Sequence, residues 1–275
     1  MKLGFSLESR YSLPTPQVMD LLADAGFAAL SLPWERGDGL AEMVRLAKER
    51  NLILQSLHGP IRGMPAMWSR DPAVAAPQLR DLLDSATDCA KYGFPILVVH
   101  PWNGVDYTFR QEDLFFDHFD AFMAHAESLG ICVAFENLEG PEYLEALLER
   151  YSAAGFCWDS GHERCYTPGR DFLQHYGHRL VMTHLNDNLG VTDPAGHLSG
   201  TDDLHLLPGD GTLDWDAALH RLKQAQPQEI LNFELKIRPK GDRCKLDLYS
   251  PLPLPQYFRQ AYAQASYAVS DYFEK

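Results

Sequence analysis

The chain has 275 residues, 45% of them apolar and 11% aromatic, which supplies a sizeable packed core and excludes a disordered or fibrous protein. With 24 Lys+Arg against 38 Asp+Glu the formal charge is −14, and the basic residues are scattered, with only 236–245 mildly enriched; this disfavours a nucleic-acid partner or an anionic membrane surface. No apolar run approaches the length of a signal-peptide core or a membrane span, so a cytoplasmic location with no membrane partner is expected, and the cysteines at 89, 132, 157, 165 and 244 lack any C-x-x-C and read as buried or spectator thiols.

Taken in chain order, short apolar segments alternate with longer ones whose apolar residues recur at three and four, the pattern of repeated strand–helix units. The first strand is expected at Lys2–Leu7, followed by a helix over Pro16–Ala25. Next come Phe27–Pro33 with Leu40–Arg50, Leu52–His58 with Pro72–Tyr92, and Pro95–His100 with Glu112–Leu129. The second half continues with Cys132–Asn137 and Glu142–Ala153, Gly155–Asp159 and Asp171–His175, Leu180–Asp187 and Trp215–Gln224, and Glu229–Leu235 with Gln256–Phe273.

Strands such as ILVVH and CVAF are apolar at successive positions, as in parallel sheets covered on both faces. Eight units at about 34 residues each approach the ~250-residue size of an α/β protein built as a single (β/α)8 TIM barrel, expected here as one domain over 1–275. An open doubly wound sheet would call for a glycine-rich turn after an early strand, yet neither G-x-G-x-x-G nor G-x-x-x-x-G-K-[ST] occurs.

Six of the eight expected strands end in a residue able to bind a metal or a proton: His58, His100, Glu136, Asp159, His184 and Glu234. In a barrel these ends converge on one face, where active sites of this architecture sit. A single strand-end histidine is more often a hydrogen-bonded structural residue than a ligand. Gathering so many ionisable groups beside an apolar core costs several kcal/mol unless they are neutralised, and a divalent cation on Glu136, Asp159, His184 and Glu234 resolves that cost. Carboxylate and imidazole donors suit Mn²⁺, Mg²⁺, Zn²⁺, Co²⁺ or iron. His162, in the spacing D-x-x-H, and Asp203 with His205 lie just past strand ends as further candidates, while Asp187 and Asn188 read as the start of a loop. Trp34 and Trp102 follow strand ends and could wall a ligand site.

Together, FENLEG at 135–140, WDSGH at 158–162, THLNDN at 183–188, HLLPGDGTLDW at 205–215 and FELK at 233–236 resemble the xylose isomerase-like barrel superfamily, over nearly the whole chain. That group includes sugar and sugar-phosphate isomerases and epimerases, inosose dehydratases and nucleases of the endonuclease IV type. The resemblance implies a metal-dependent enzyme of carbohydrate metabolism that acts on a small sugar, sugar phosphate or polyol by proton transfer through an enediolate. It places the metal on Glu136, Asp159, His184 and Glu234, with Glu136 and Glu234 as the catalytic acid/base pair. His162 is then expected to meet a substrate oxygen, with His58, His100 and Trp102 also binding substrate.

The nuclease branch offers the alternative reading, a trinuclear zinc phosphodiesterase acting at abasic sites. Its nine ligands would match His58, His100, Glu136, Asp159, His162, His184, Asp203, His205 and Glu234, so that His58, His100, His162, Asp203 and His205 become additional metal ligands. The −14 charge and the missing basic groove stand against it. A third reading, a barrel that binds metal structurally or senses a sugar, is weakened by the presence of both glutamates. Many isomerase-like members carry a glutamate at the end of the second strand, where this chain has Ser31 with Glu35 beyond it. Arg62, Arg164 and Lys236 could meet a phosphate, although surface solvation explains each of them. The stretch KIRPKGDRCKLD at 236–247 could cover the mouth or meet a second subunit of a homo-oligomer.

Overall fold

Local signals set most of the helix ends. Gly26 (φ 113°) closes α1 (Thr15–Ala25) and Gly93 (φ 83°) closes α3 (Pro72–Tyr92), both in the left-handed region that glycine enters without a Cβ penalty. Asp71, Asp171 and Asp214 each accept a hydrogen bond from a backbone N–H in the first turn of α3, α7 (Phe172–Tyr176) and α8 (Trp215–Gln224). The remaining helices are α2 (Gly39–Glu49), α4 (Asp117–Ser128), α5 (Pro141–Arg150), α6 (Ser160–Cys165) and α9 (Leu254–Ala268). The structure, a computed structural model, describes residues 2–7, 11–238, 248–249 and 251–273.

Eight strands pair in parallel: β1 (Leu3–Ser6), β2 (Ala29–Pro33), β3 (Ile53–His58), β4 (Ile96–Val99), β5 (Cys132–Glu136), β6 (Gly155–Asp159), β7 (Leu180–His184) and β8 (Leu231–Phe233). Their order is β7-β6-β5-β4-β3-β2-β1-β8. The two ends of this sheet meet where Leu185 N donates to Asn232 O at 2.9 Å and Glu234 N donates to Leu185 O at 3.1 Å, so the sheet closes on itself as the expected (β/α)8 barrel.

Alternation along the strands separates two environments. Leu97, Val99, Val133, Phe135, Phe156 and Trp158 join the large core under the helices, whereas Val98, Ala134, Cys157 and Met182 form a separate cluster. The β1, β3 and β8 side of the barrel is filled by polar groups: a Cβ at Gly4 would lie 2.5 Å from Gln55 Oε1 and 2.8 Å from Asn232 Oδ1. Asn232 Nδ2 donates to Ser6 Oγ at 2.7 Å, and Ser56 Oγ donates to Ser31 Oγ at 2.7 Å.

Several expected boundaries shift. Glu112 belongs to a short 3-10 turn, Gln111–Asp113, and α4 starts only at Asp117, after Phe116 has turned in to pack against Trp68. The last helix ends at Ala268, with Ser270–Tyr272 as a separate 3-10 turn. Helix α6 was not expected, because its six residues are too few to show a helical period. Asp187 is a loop anchor: its carboxylate accepts from the backbone N–H of Asn188, Gly209 and Leu213 and from Trp215 Nε1, at 2.8 to 3.0 Å. No helix among the described residues is long and apolar enough to cross a membrane. Cys244 and most of the stretch after Lys236 lie outside the described residues.

Candidate metal centre

Strand geometry alone brings the expected ligands to one level. Side chains alternate along a strand, so a residue two positions beyond an interior residue faces the same way, one layer higher. His100 follows Val98 in this way, Glu136 follows Ala134, Asp159 follows Cys157, His184 follows Met182 and Glu234 follows Asn232. The donor atoms of Glu136, Asp159, His184 and Glu234 all lie within 4.8 Å of one another at the carboxyl ends of β5, β6, β7 and β8. His184 Nδ1 is 3.0 Å from Glu136 Oε1 and 3.0 Å from Glu234 Oε2. The first three side chains are fully buried and Glu234 is 19% exposed, so solvent meets the group at Glu234.

Two further groups adjoin this one. Nε2 of His58 and Nε2 of His100 approach Glu136 Oε2 at 3.3 and 3.4 Å. On the other side His205 Nε2 lies 2.8 Å from the Asp203 carboxylate, and His162 Nε2 lies 3.4 Å from Asp203 Oδ1. All nine candidate ligands of the sequence reading therefore meet, in three groups of which two share Glu136. Nδ1 of His58, His162 and His205 each donates to a backbone carbonyl, of Gly59, Asn137 and Glu234 respectively, at 3.0 Å. That bond fixes the ring and turns Nε2 toward the acidic groups, the orientation of a metal-ligating imidazole.

Residues beside the ligands hold Asp159. Its carboxylate accepts from His162 N at 2.7 Å as the N-cap of α6, and Asn186 Nδ2 reaches both of its oxygens at 3.1 and 3.2 Å. Asn137 bonds the Asp159 backbone on both sides, accepting from its N–H and donating to its C=O at 2.8 Å. Gly161 makes room for this arrangement, since a Cβ there would stand 1.9 Å from Asn186 Oδ1. Gly161→Ala is therefore expected to displace Asn186 and to lower divalent-metal affinity about 10- to 100-fold in a chelator-competition titration. Unchanged affinity would show that Asn186 does not position Asp159.

Burial and charge pull these groups in opposite directions. Burial works to raise the Glu136 carboxyl, but the charge of His184 and the contacts of His100, His162 and His184 hold it well below the usual carboxylate range. Burial likewise opposes charge on Glu234, and His205 and His184 outweigh it. His184, despite burial, is held well above the usual imidazole value by the carboxylates of Glu136 and Glu234. Burial lowers His100, and it pushes Asp159 up to about 6. Within the four-residue group two buried atoms stay without a hydrogen bond, Glu136 Oε2, which the His58 and His100 rings approach without the aim of one, and His184 Nε2; His100 Nδ1 beside them is also without one. A set of three carboxylates and an imidazole, one carboxylate of which keeps an unpartnered oxygen, fits a hard or borderline divalent cation.

With that geometry in place, the similarities of the chain can be interpreted. Residues 19–259 match the family described as xylose isomerase-like TIM barrel. The chain belongs to that family. A relative at 30% identity over 259 residues, covering 78% of this chain and 79% of its own, is the uncharacterized protein y4fM of Sinorhizobium fredii (strain NBRC 101917 / NGR234). Among solved structures, IolI with a bound zinc atom superposes with a TM-score of 0.76 at 20% identity, over 100% of both chains. D-psicose 3-epimerase with D-tagatose, from Clostridium cellulolyticum H10, gives 0.73 at 14% identity over 99% of both. At these identities the two structures share the fold.

Other residues singled out from the sequence fall elsewhere. Trp34 does not wall the site: it is nearly buried and its Nε1 donates to Asp88 Oδ2 at 2.9 Å, in the packing of α3. Trp102 stacks on Tyr143 at 4.3 Å and lines a cleft of about 610 Å³ with Trp68, Arg70 and Tyr107. Ser31 accepts a hydrogen bond from Ser56 Oγ at 2.7 Å. Arg62 is exposed, and Arg164 donates to Thr212 Oγ1 at 3.2 Å.

Four neighbours of the centre lie outside the expected set. Asn186 and Asn137 lie inside the THLNDN and FENLEG motifs, next to ligands, which was the signal available. Cys157 offers its Sγ within 4.8 Å of the Glu136 and His184 donor atoms, and burial pushes its thiol up to about 12, so it stays protonated near neutrality. Lys236, assigned to surface solvation, is only 16% exposed and faces Glu234 and Asp203.

Proposed function

We propose that the protein is a divalent-metal-dependent isomerase or epimerase that moves a proton on a small sugar, sugar phosphate or polyol through an enediolate. One observation carries the reading: Glu136, Asp159, His184 and Glu234 bring their donor atoms within 4.8 Å of one another at the open end of the barrel. The zinc named for IolI and the sugar named for D-psicose 3-epimerase, both on this fold, support it.

These four residues would hold Mn²⁺, Zn²⁺, Mg²⁺ or Co²⁺, which when bound supplies Lewis acidity toward a substrate carbonyl and its neighbouring hydroxyl. Glu136 and Glu234 form the acid/base pair. Both carboxyls are held low, so both are ionised and able to accept a proton at neutral pH. They come from β5 and β8, so in an epimerisation one carboxylate removes the C–H proton and passes it to solvent while the other takes a proton from solvent and delivers it to the opposite face; in an isomerisation the carboxylate that removed the proton returns it to the adjacent carbon. His162, His58 and His100 present ring nitrogens to substrate oxygens.

A second reading has its own observation in the three donor groups and the imidazoles oriented by backbone carbonyls. Three ions would suit water activation on a phosphodiester. The charge of −14 opposes binding to a duplex. Counting ions in purified protein and incubating it with ketoses in D2O decides between the readings. One ion per chain with deuterium entering at a sugar carbon is the expected result. Three ions with incision of an abasic duplex would replace it with the second reading.

A further inference from the structure

Lys236 sits two residues past Glu234, and the main chain leaves it little choice of place. Its N–H donates to the His205 carbonyl at 3.0 Å, while the His205 ring donates to the Glu234 carbonyl at 3.0 Å. His205 itself adopts φ 51°, a left-handed conformation that a non-glycine residue keeps only when its surroundings impose it. The end of β8 and the 203–205 loop are thus tied together, and the Lys236 ammonium is set between two carboxylates, 3.6 Å from Glu234 Oε1 and 3.9 Å from Asp203 Oδ2.

The donor groups differ in the charge they offer a cation. The central group brings three carboxylates and one imidazole. The group of His162, Asp203 and His205 brings a single carboxylate, which already contacts both imidazoles and the ammonium. Affinity for a divalent ion rises with the number of charged ligands, and a fixed positive charge a few ångströms away, screened only by a mostly buried surrounding, opposes it.

We propose that Lys236 is the built-in cation of the third group: it neutralises Asp203, keeps His162, Asp203 and His205 free of a divalent ion, and so confines metal to the groups built on Glu136. The inference rests on the metal centre of the proposed function. It gives the histidines of the third group a different task, as hydrogen-bonding residues facing a substrate, and it assigns to one lysine the exclusion of one of the three ions that the second reading needs.

The test is an ion count by elemental analysis on dialysed, Zn²⁺-loaded protein, with circular dichroism as the fold control, for the wild type, Asp203→Asn, Lys236→Met, Lys236→Arg and the Lys236→Met/Asp203→Asn pair. Asp203→Asn is expected to leave the wild-type count unchanged. Lys236→Met is expected to hold one more ion per chain, lost again in the double variant, and Lys236→Arg to keep the wild-type count. Lys236→Gln replaces the methionine variant if that one does not fold. A lower count in Asp203→Asn than in the wild type, or no additional ion in a folded Lys236→Met or Lys236→Gln, overturns the role of Lys236 while leaving the central metal site standing. A wild type that holds no ion, and is indifferent to Glu136→Gln, overturns the metal reading and this inference with it.

Discussion

Glu136→Gln is expected to release the metal and to destabilise the metal-free protein by about 3–5 kcal/mol near neutral pH, the cost of leaving buried charge without its partner. The carboxylate is fully buried and is approached by four imidazoles, those of His58, His100, His162 and His184, at 3.0 to 3.4 Å. An amide of the same shape keeps the packing but removes the negative charge that these rings face. The pH dependence gives the effect a signature. The Glu136 pKa in the folded chain lies well below its ordinary 4.5, so its contribution is fully present above that value and is lost as the pH falls through the folded pKa. The His184 pKa lies well above 6.5, so its contribution is complete below 6.5 and is lost as the pH rises through the folded value. Urea denaturation of chelator-treated wild type and variant is therefore expected to show the largest gap between about pH 4.5 and 6.5, closing on the acid side. A gap that stays constant down to pH 3 would mean that Glu136 stabilises by packing and not by charge.

Glu234→Gln is expected to abolish exchange of the substrate C–H with solvent deuterium and to cut turnover about 10²- to 10⁴-fold, the range for loss of a positioned general acid or base. Unlike Glu136, this residue is partly open to solvent, and it is shared among His184, His205 and Lys236, so its loss leaves a smaller uncompensated charge. Circular dichroism and the melting temperature should change less than in Glu136→Gln. Deuterium incorporation at the wild-type rate in a metal-loaded Glu234→Gln protein removes Glu234 from the acid/base pair.

The repeat of strand and helix, the barrel it builds and the strand-end position of six ionisable residues were legible in the chain, because each depends on periodicities of two and 3.6 and on caps acting within a few residues. The boundaries of α4 and the existence of α6 were not. The first is set by Phe116 seeking Trp68 across the fold, and the second is too short to carry a period. The motifs FENLEG and THLNDN held the supporting asparagines in plain sight, but nothing local distinguishes an asparagine that grips Asp159 from one that caps a turn.

Sequence by itself determined which chemical groups arrive at the mouth of the barrel, since alternation along a strand fixes the face each side chain takes. How close those groups come was decided only by the tertiary structure. Glu136 and His184 are 48 residues apart, and their 3.0 Å contact depends on strand stagger and barrel closure, which no local pattern encodes. The same holds for Lys236: its hydrophilicity suggests solvent, and only the junction of β8 with the 203–205 loop turns its ammonium inward, where the Coulomb attraction of two carboxylates offsets the loss of water.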